Sequence, residues 1–128
     1  MEVIVHCSDT PNGRPHNAAD THRWHKEKGW DGIGYHHVIQ LDGTADNGRP
    51  HYWSGAHCKG QNSKVGICLI GRDQFTPLQE RALAKLLLKL KALTVKGHYQ
   101  YDSGKTCPGF DVEAWWNNQI TWPTLESK

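Results

Sequence analysis

The stretch Val65-Gly66-Ile67-Cys68-Leu69-Ile70 constrains the fold more than any other part of the chain. It is a continuous apolar run interrupted only by Gly66, which predicts a strand covered on both faces and therefore a largely buried sheet. The segment after it supplies a helix to cover such a sheet. Thr76-Pro77-Leu78-Gln79 offers a capping hydroxyl, a proline at the first helical position and a glutamine at the third. Leu78, Ala82, Leu83, Leu86, Leu87, Leu90 and Leu93 then recur at helical spacing. Gln79, Glu80, Arg81, Lys85, Lys89 and Lys91 fill the opposite side.

The remaining elements are shorter. Val3 to His6 reads as an inner strand, and Ser8 to His16, rich in Asp, Thr, Pro, Asn and Gly, as an irregular loop. Asn17 caps a helix running through Ala18, His22 and His25 to Gly29. Tyr35 to Leu41 predicts a strand closed by the turn Asp42-Gly43, Asp46 to Pro50 a further turn, and Tyr52-Trp53 a brief strand. Val95 to His98 predicts the last strand. Phe110 and Trp115 flank Asp111 as a staple around a cap, opening a helix to about Asn118. Strands alternating with helices make this an α/β chain, and 128 residues fit one domain over 1–128.

Charge and cysteine usage narrow the function. A net charge of +2, spread along the chain, lacks the dense basic stripe of a nucleic-acid binder, so no nucleic-acid partner is expected. No run of 18 or more apolar residues occurs, so no membrane span is expected. Met1-Glu2-Val3-Ile4-Val5-His6 has no secretory pattern, which places the chain in the cytoplasm. In that compartment Cys7, Cys58, Cys68 and Cys107 are better read as free thiols or metal ligands than as disulfides.

Nine histidines beside those cysteines point to zinc, whose catalytic sites take three protein ligands and leave a fourth position to water. His6 and His98 each end a predicted strand, and Cys107 lies in the turn Lys105-Thr106-Cys107-Pro108-Gly109. Spacing alone does not select this set over His36 with His37 or His57 with Cys58. Adjacent strand residues do point to opposite faces, which makes His36 and His37 poor joint ligands.

The local strings go further. Val5-His6-Cys7-Ser8, Gly29 to His36 (Gly-Trp-Asp-Gly-Ile-Gly-Tyr-His), Gly55-Ala56-His57-Cys58-Lys59-Gly60, Val65 to Gly71, and Gly97-His98 followed by Lys105 to Phe110 stand in a telling order. Together they resemble the type 2 N-acetylmuramoyl-L-alanine amidases, most closely the lysozymes of podophages, over roughly Val3 to Trp116. The resemblance implies a central mixed β-sheet flanked by helices, shared with peptidoglycan-recognition proteins. It implies hydrolysis of the amide between N-acetylmuramic acid and L-alanine of peptidoglycan, with Zn2+ held by His6, His98 and Cys107. Tyr35 and Lys105 fall on catalytic positions. His57, in its glycine-bounded loop, is a substrate-contact candidate.

The expected setting is that of a phage endolysin: monomeric, held in the cytoplasm of the infected host, and released to the cell wall by a separate permeabilising protein. Two departures bear on these expectations. Gln100 stands where many members carry an acidic residue, and the Tyr99–Gly104 loop is longer by about one residue. The chain begins only five residues before His6. Phage relatives carry a longer segment there that binds RNA polymerase, so polymerase binding is not expected. Three rivals remain at this stage: a non-catalytic peptidoglycan-binding module, a polymerase regulator, and a thiol hydrolase with Cys107 as nucleophile. Trp30, Trp115 and Trp116 are expected in the core. Cys7 and Cys68 are expected as buried thiols, Cys58 as an exposed one, and Trp24 and His25 as packing or surface residues.

Overall fold

The computed structural model describes residues 1–121. In chain order the elements are β1 (Glu2–Cys7), α1 (Ala18–Glu27), β2 (His37–Ile39), β3 (Ala45–Asn47), β4 (Val65–Leu69), α2 (Pro77–Lys89), β5 (Thr94–Gly97), a 3-10 turn (His98–Gln100) and α3 (Val112–Thr121). The strands form one five-stranded mixed sheet in the order β3-β2-β4-β1-β5. β1 lies between β4 and β5 and is parallel to both, β2 is parallel to β4, and β3 is antiparallel to β2.

Alternation along these strands sorts the side chains into two layers. Val3, Val5, Val65, Ile67, Leu69 and Val95 face one way and pack with Leu83, Ala84 and Leu87 of α2 and Val112 and Trp116 of α3. Val38, Cys68 and Ile70 face the other way, against Ala18 at the start of α1 and Ile33 and Tyr35 of the loop after it. The apolar run at β4 is thus buried on both sides, as its composition requires.

Both predicted helix starts are capped by reciprocal side-chain and backbone bonds, at Asn17 with Asp20 and at Thr76 with Gln79. Asp111 accepts from the Ala114 amide at 3.0 Å and opens α3. Gln79 departs from its expected place on the solvent side of α2. It is fully buried, and its Nε2 donates to the Ile70 carbonyl at 2.8 Å and the Ile39 carbonyl at 3.3 Å. Those carbonyls lie where β2 and β4 end: the amide gives the Ile70 carbonyl a donor and adds a second, longer bond to the Ile39 carbonyl, which already accepts from the Ile70 amide at 3.1 Å. Leu78 and Leu93, expected on the apolar face, are exposed.

The β2–β3 region also differs from its expected boundaries. Only His37–Ile39 joins the ladder, because the Gln40 amide turns to the Thr44 carbonyl at 2.9 Å and closes a hairpin. The return limb pairs Val38 with Asp46, so Ala45–Asn47 is a strand although its residues favour a turn. Here hairpin register overrides local propensity. Tyr52-Trp53 is not a strand: the Trp53 amide bonds the Pro50 carbonyl at 3.0 Å in a turn. Among the described residues, no helix is long and apolar enough to cross a membrane.

Candidate active site

His6 stands at the carboxyl end of β1, and His98 opens the 3-10 turn directly after β5 rather than ending the strand. Because β1 and β5 are parallel neighbours, both histidines reach the same end of the sheet, where α/β folds place their sites. Their ring centroids are 4.5 Å apart. Cys107 is brought there by the returning loop, whose Cys107 carbonyl accepts from the Tyr99 amide at 3.0 Å. Its sulfur accepts from the Cys7 amide at 2.8 Å. The donor atoms of His6, His98 and Cys107 lie within 4.8 Å of one another.

The electrostatics suit a cation. Burial, then the neighbouring rings of His57 and His98, hold the His6 pKa well below its usual value. Burial also lowers the His98 pKa, against the opposing charge of Asp102. Both rings are therefore neutral and offer lone pairs at pH 7. Hydrogen bonding with the Cys7 thiol, then burial, pushes the Cys107 thiol above its ordinary range, a bias that a bound cation would oppose. Two imidazoles and a sulfur are ligand types that zinc prefers. By the chemistry of its donors and their spacing, the set fits that ion.

The cavity over this cluster has a volume of about 750 Å³ and is lined by His6, Tyr35, His57, His98, Lys105 and Cys107, among others. All the residues picked from the sequence thus meet in one place. Tyr35 lies among the rings of His6 (5.1 Å), His25 (5.4 Å) and His57 (6.4 Å). Burial, then the thiols of Cys68, Cys107 and Cys7, raises its pKa well above the usual phenol value, so its hydroxyl keeps its proton. Lys105 is exposed at the rim.

His57 also lines the cavity, but both its ring nitrogens are occupied. Nδ1 lies 2.9 Å from His6 Nε2, and Nε2 lies 2.8 Å from the Lys64 carbonyl. Both polar atoms of the ring are thus engaged within the protein. The rival ligand pairs do not assemble. His36 holds the Gly66 amide and the Trp53 carbonyl, whereas His37 pairs with His51. Cys58, expected as an exposed thiol, is buried. Gln100 faces away from the cluster's chemistry: it accepts from the Gly97 amide at 2.8 Å and bonds Glu113. Trp30 is 40% exposed and lines the cavity instead of the core; Trp116 is buried and Trp115 half-buried against it.

His25 is the residue most underrated by its sequence context. It is buried and lines the cavity, and its Nδ1 accepts the Gly34 amide at 2.8 Å. His22, one turn earlier, accepts the adjacent Ile33 amide at 3.0 Å. Two imidazoles three residues apart on one helix face therefore hold consecutive amides of the segment that leads into Tyr35. The His-x-x-His spacing on α1 was the available signal. His25→Leu is expected to destabilise the chain by about 1–3 kcal/mol, the cost of orphaning a buried amide. Denaturant unfolding checks this, and an unchanged midpoint would show that the bond contributes nothing.

Comparison with known proteins agrees with this geometry. The sequence profile of the family described as N-acetylmuramoyl-L-alanine amidase matches residues 2–110. The chain belongs to that family. It is similar to the endolysin of Klebsiella phage KP32, with 38% identity over 128 residues covering 90% of this chain and 84% of that protein. The endolysin of Escherichia phage T7 is 36% identical over 127 residues, covering 89% and 83%. Among solved structures, the N-acetylmuramoyl-L-alanine amidase LysC from Clostridium intestinale URNW superposes with a TM-score of 0.78 at 29% identity, covering 93% of this chain and 84% of that one. Drosophila PGRP-LB gives 0.76 at 29%, covering 95% and 80%. The mixed sheet flanked by helices is the architecture of these amidase and recognition-protein neighbours.

Proposed function

We propose that this amidase hydrolyses the bond between N-acetylmuramic acid and L-alanine in peptidoglycan, with zinc held by His6, His98 and Cys107. The observation that carries the reading is the convergence of those three donors within 4.8 Å at the floor of the cavity. Zinc, when bound, supplies a Lewis acid and lowers the pKa of a coordinated water to about 7.

The rest falls to the chain. His6 and His98 remain neutral and keep their lone pairs available. The Cys7 amide fixes the Cys107 sulfur. Lys105, at the rim, carries the positive charge suited to the carbonyl oxygen as it becomes negative. Tyr35, protonated at neutral pH, is a hydrogen-bond and proton donor for the departing alanine nitrogen. The intact donor triad favours an enzyme over a binding-only module.

The same reading takes a monomer as the working unit. As part of that reading, the chain acts on the wall after storage in the host cytoplasm. Digestion of purified peptidoglycan should release stem peptides beginning with alanine, identified by mass. A chelator should stop the release and zinc should restore it. Lys105→Ala should slow the reaction about 100-fold, the usual worth of one oxyanion donor at about 3 kcal/mol. Cleavage of the sugar chain instead would overturn the assignment.

A further inference from the structure

His57, buried beside the cavity, has a chain of hydrogen bonds whose direction is fixed at one end. The Lys64 carbonyl has no proton to give, so His57 Nε2, 2.8 Å away, must donate to it. A neutral imidazole carries a single N–H, which makes His57 Nδ1 an acceptor. His6 Nε2, 2.9 Å from that atom, must then be the donor. The proton order runs from His6 through His57 to the Lys64 carbonyl, and it leaves His6 Nδ1 as a bare lone pair.

We propose that His57 is a positioning residue that sets the tautomer and ring orientation of His6, so that His6 presents Nδ1 to the metal. The inference rests on the reading of His6 as a ligand. Histidine ligands are commonly held this way by an acceptor at their second nitrogen.

The surroundings are built for this ring. A Cβ on Gly66 would lie 2.6 Å from its Cδ2 and Cγ, and one on Gly55 would lie 2.4 Å from its Cδ2. Any larger residue at either place would overlap the imidazole, so two glycines clamp it from the strand and from the loop. The His57 and Cys58 amides both donate to Asn62 Oδ1, at 2.8 and 2.9 Å, which fixes the backbone that carries the ring. The His6 and His57 rings stand edge-on at 85°.

Nitrogen-15 NMR of imidazoles tests the tautomer directly, in metal-free and zinc-loaded protein. The expected pattern is a proton on Nε2 of both His6 and His57 in each state, with zinc shifting Nδ1 of His6. A proton on His6 Nδ1 in the metal-free chain would overturn the proposal. Zinc affinity, read by competition with a chelator, gives the second measure. His57→Leu should weaken binding about 10- to 100-fold. His57→Gln, which still offers one donor and one acceptor, should recover most of it. Gly66→Ala should reproduce the loss with His57 still present. Equal affinity in wild type and His57→Leu would refute the inference alone. A wild type that binds no zinc would refute the ligand assignment, while the metal-free spectrum would still decide the tautomer.

Discussion

Replacing Cys107 with serine is expected to abolish wall hydrolysis and zinc retention together. Residues that merely support a ligand are worth about 10- to 100-fold in affinity or activity, so loss of a ligand itself should cost more than about 100-fold in each. Serine is nearly isosteric but stays protonated at neutral pH, and it cannot replace a thiolate. The same substitution would also silence a thiol nucleophile, so a second variant separates the two. Cys107→Asp supplies a carboxylate, which zinc accepts as a ligand but which cannot act as a thiol. Partial zinc binding and measurable hydrolysis in Cys107→Asp, with full sensitivity to chelation, is the expected result. A wild-type enzyme that survives exhaustive chelation would instead make Cys107 a nucleophile. The structure argues against that outcome, since among the described residues the hydrogen bonds of its sulfur run to Cys7, from the amide at 2.8 Å and to the carbonyl at 3.7 Å, and not to a histidine.

The parts of the fold legible in the sequence were those whose signal is local and periodic. α2 announced itself through capping residues and leucine spacing, and β1 and β4 through short apolar runs. β3 did not, because Ala45–Asn47 is extended only by virtue of pairing with β2. Nothing within those three residues encodes the pairing. The burial of Gln79 was hidden for a related reason: its side chain serves carbonyls of two strands that lie elsewhere in the chain. At the site, residue types and order pointed to His6, His98 and Cys107, yet spacing could not choose them. What brings His6 and His98 together is the parallel pairing of β1 with β5, a long-range fact. The same holds for His57: that its ring reaches His6 depends on the loop folding back over Gly66.

The buried histidines outside the ligand set should make the chain acid-labile. His25 and His37 are both buried, and their pKa values are lowered to about 4, chiefly by burial and then by neighbouring cationic groups. In the unfolded chain each would titrate near 6.5. Between these values the unfolded state binds more protons than the folded one, so stability is fully present above about pH 6.5 and falls as pH drops toward 4. At about 1.4 kcal/mol per pKa unit the loss approaches about 3 kcal/mol for each histidine. A fall in Tm of more than about 10 °C between pH 7.5 and 4.5 is therefore expected in metal-free protein. His37 offers the cleanest control. Its Nε2 lies 2.5 Å from the exposed His51, and among the described residues its buried Nδ1 has no hydrogen-bond partner. His37→Leu removes both the orphaned nitrogen and the group that must be charged in acid. That variant should lose distinctly less Tm than wild type over the same pH interval. If the two proteins lose stability in parallel, the acid sensitivity resides elsewhere and His37 is not its source.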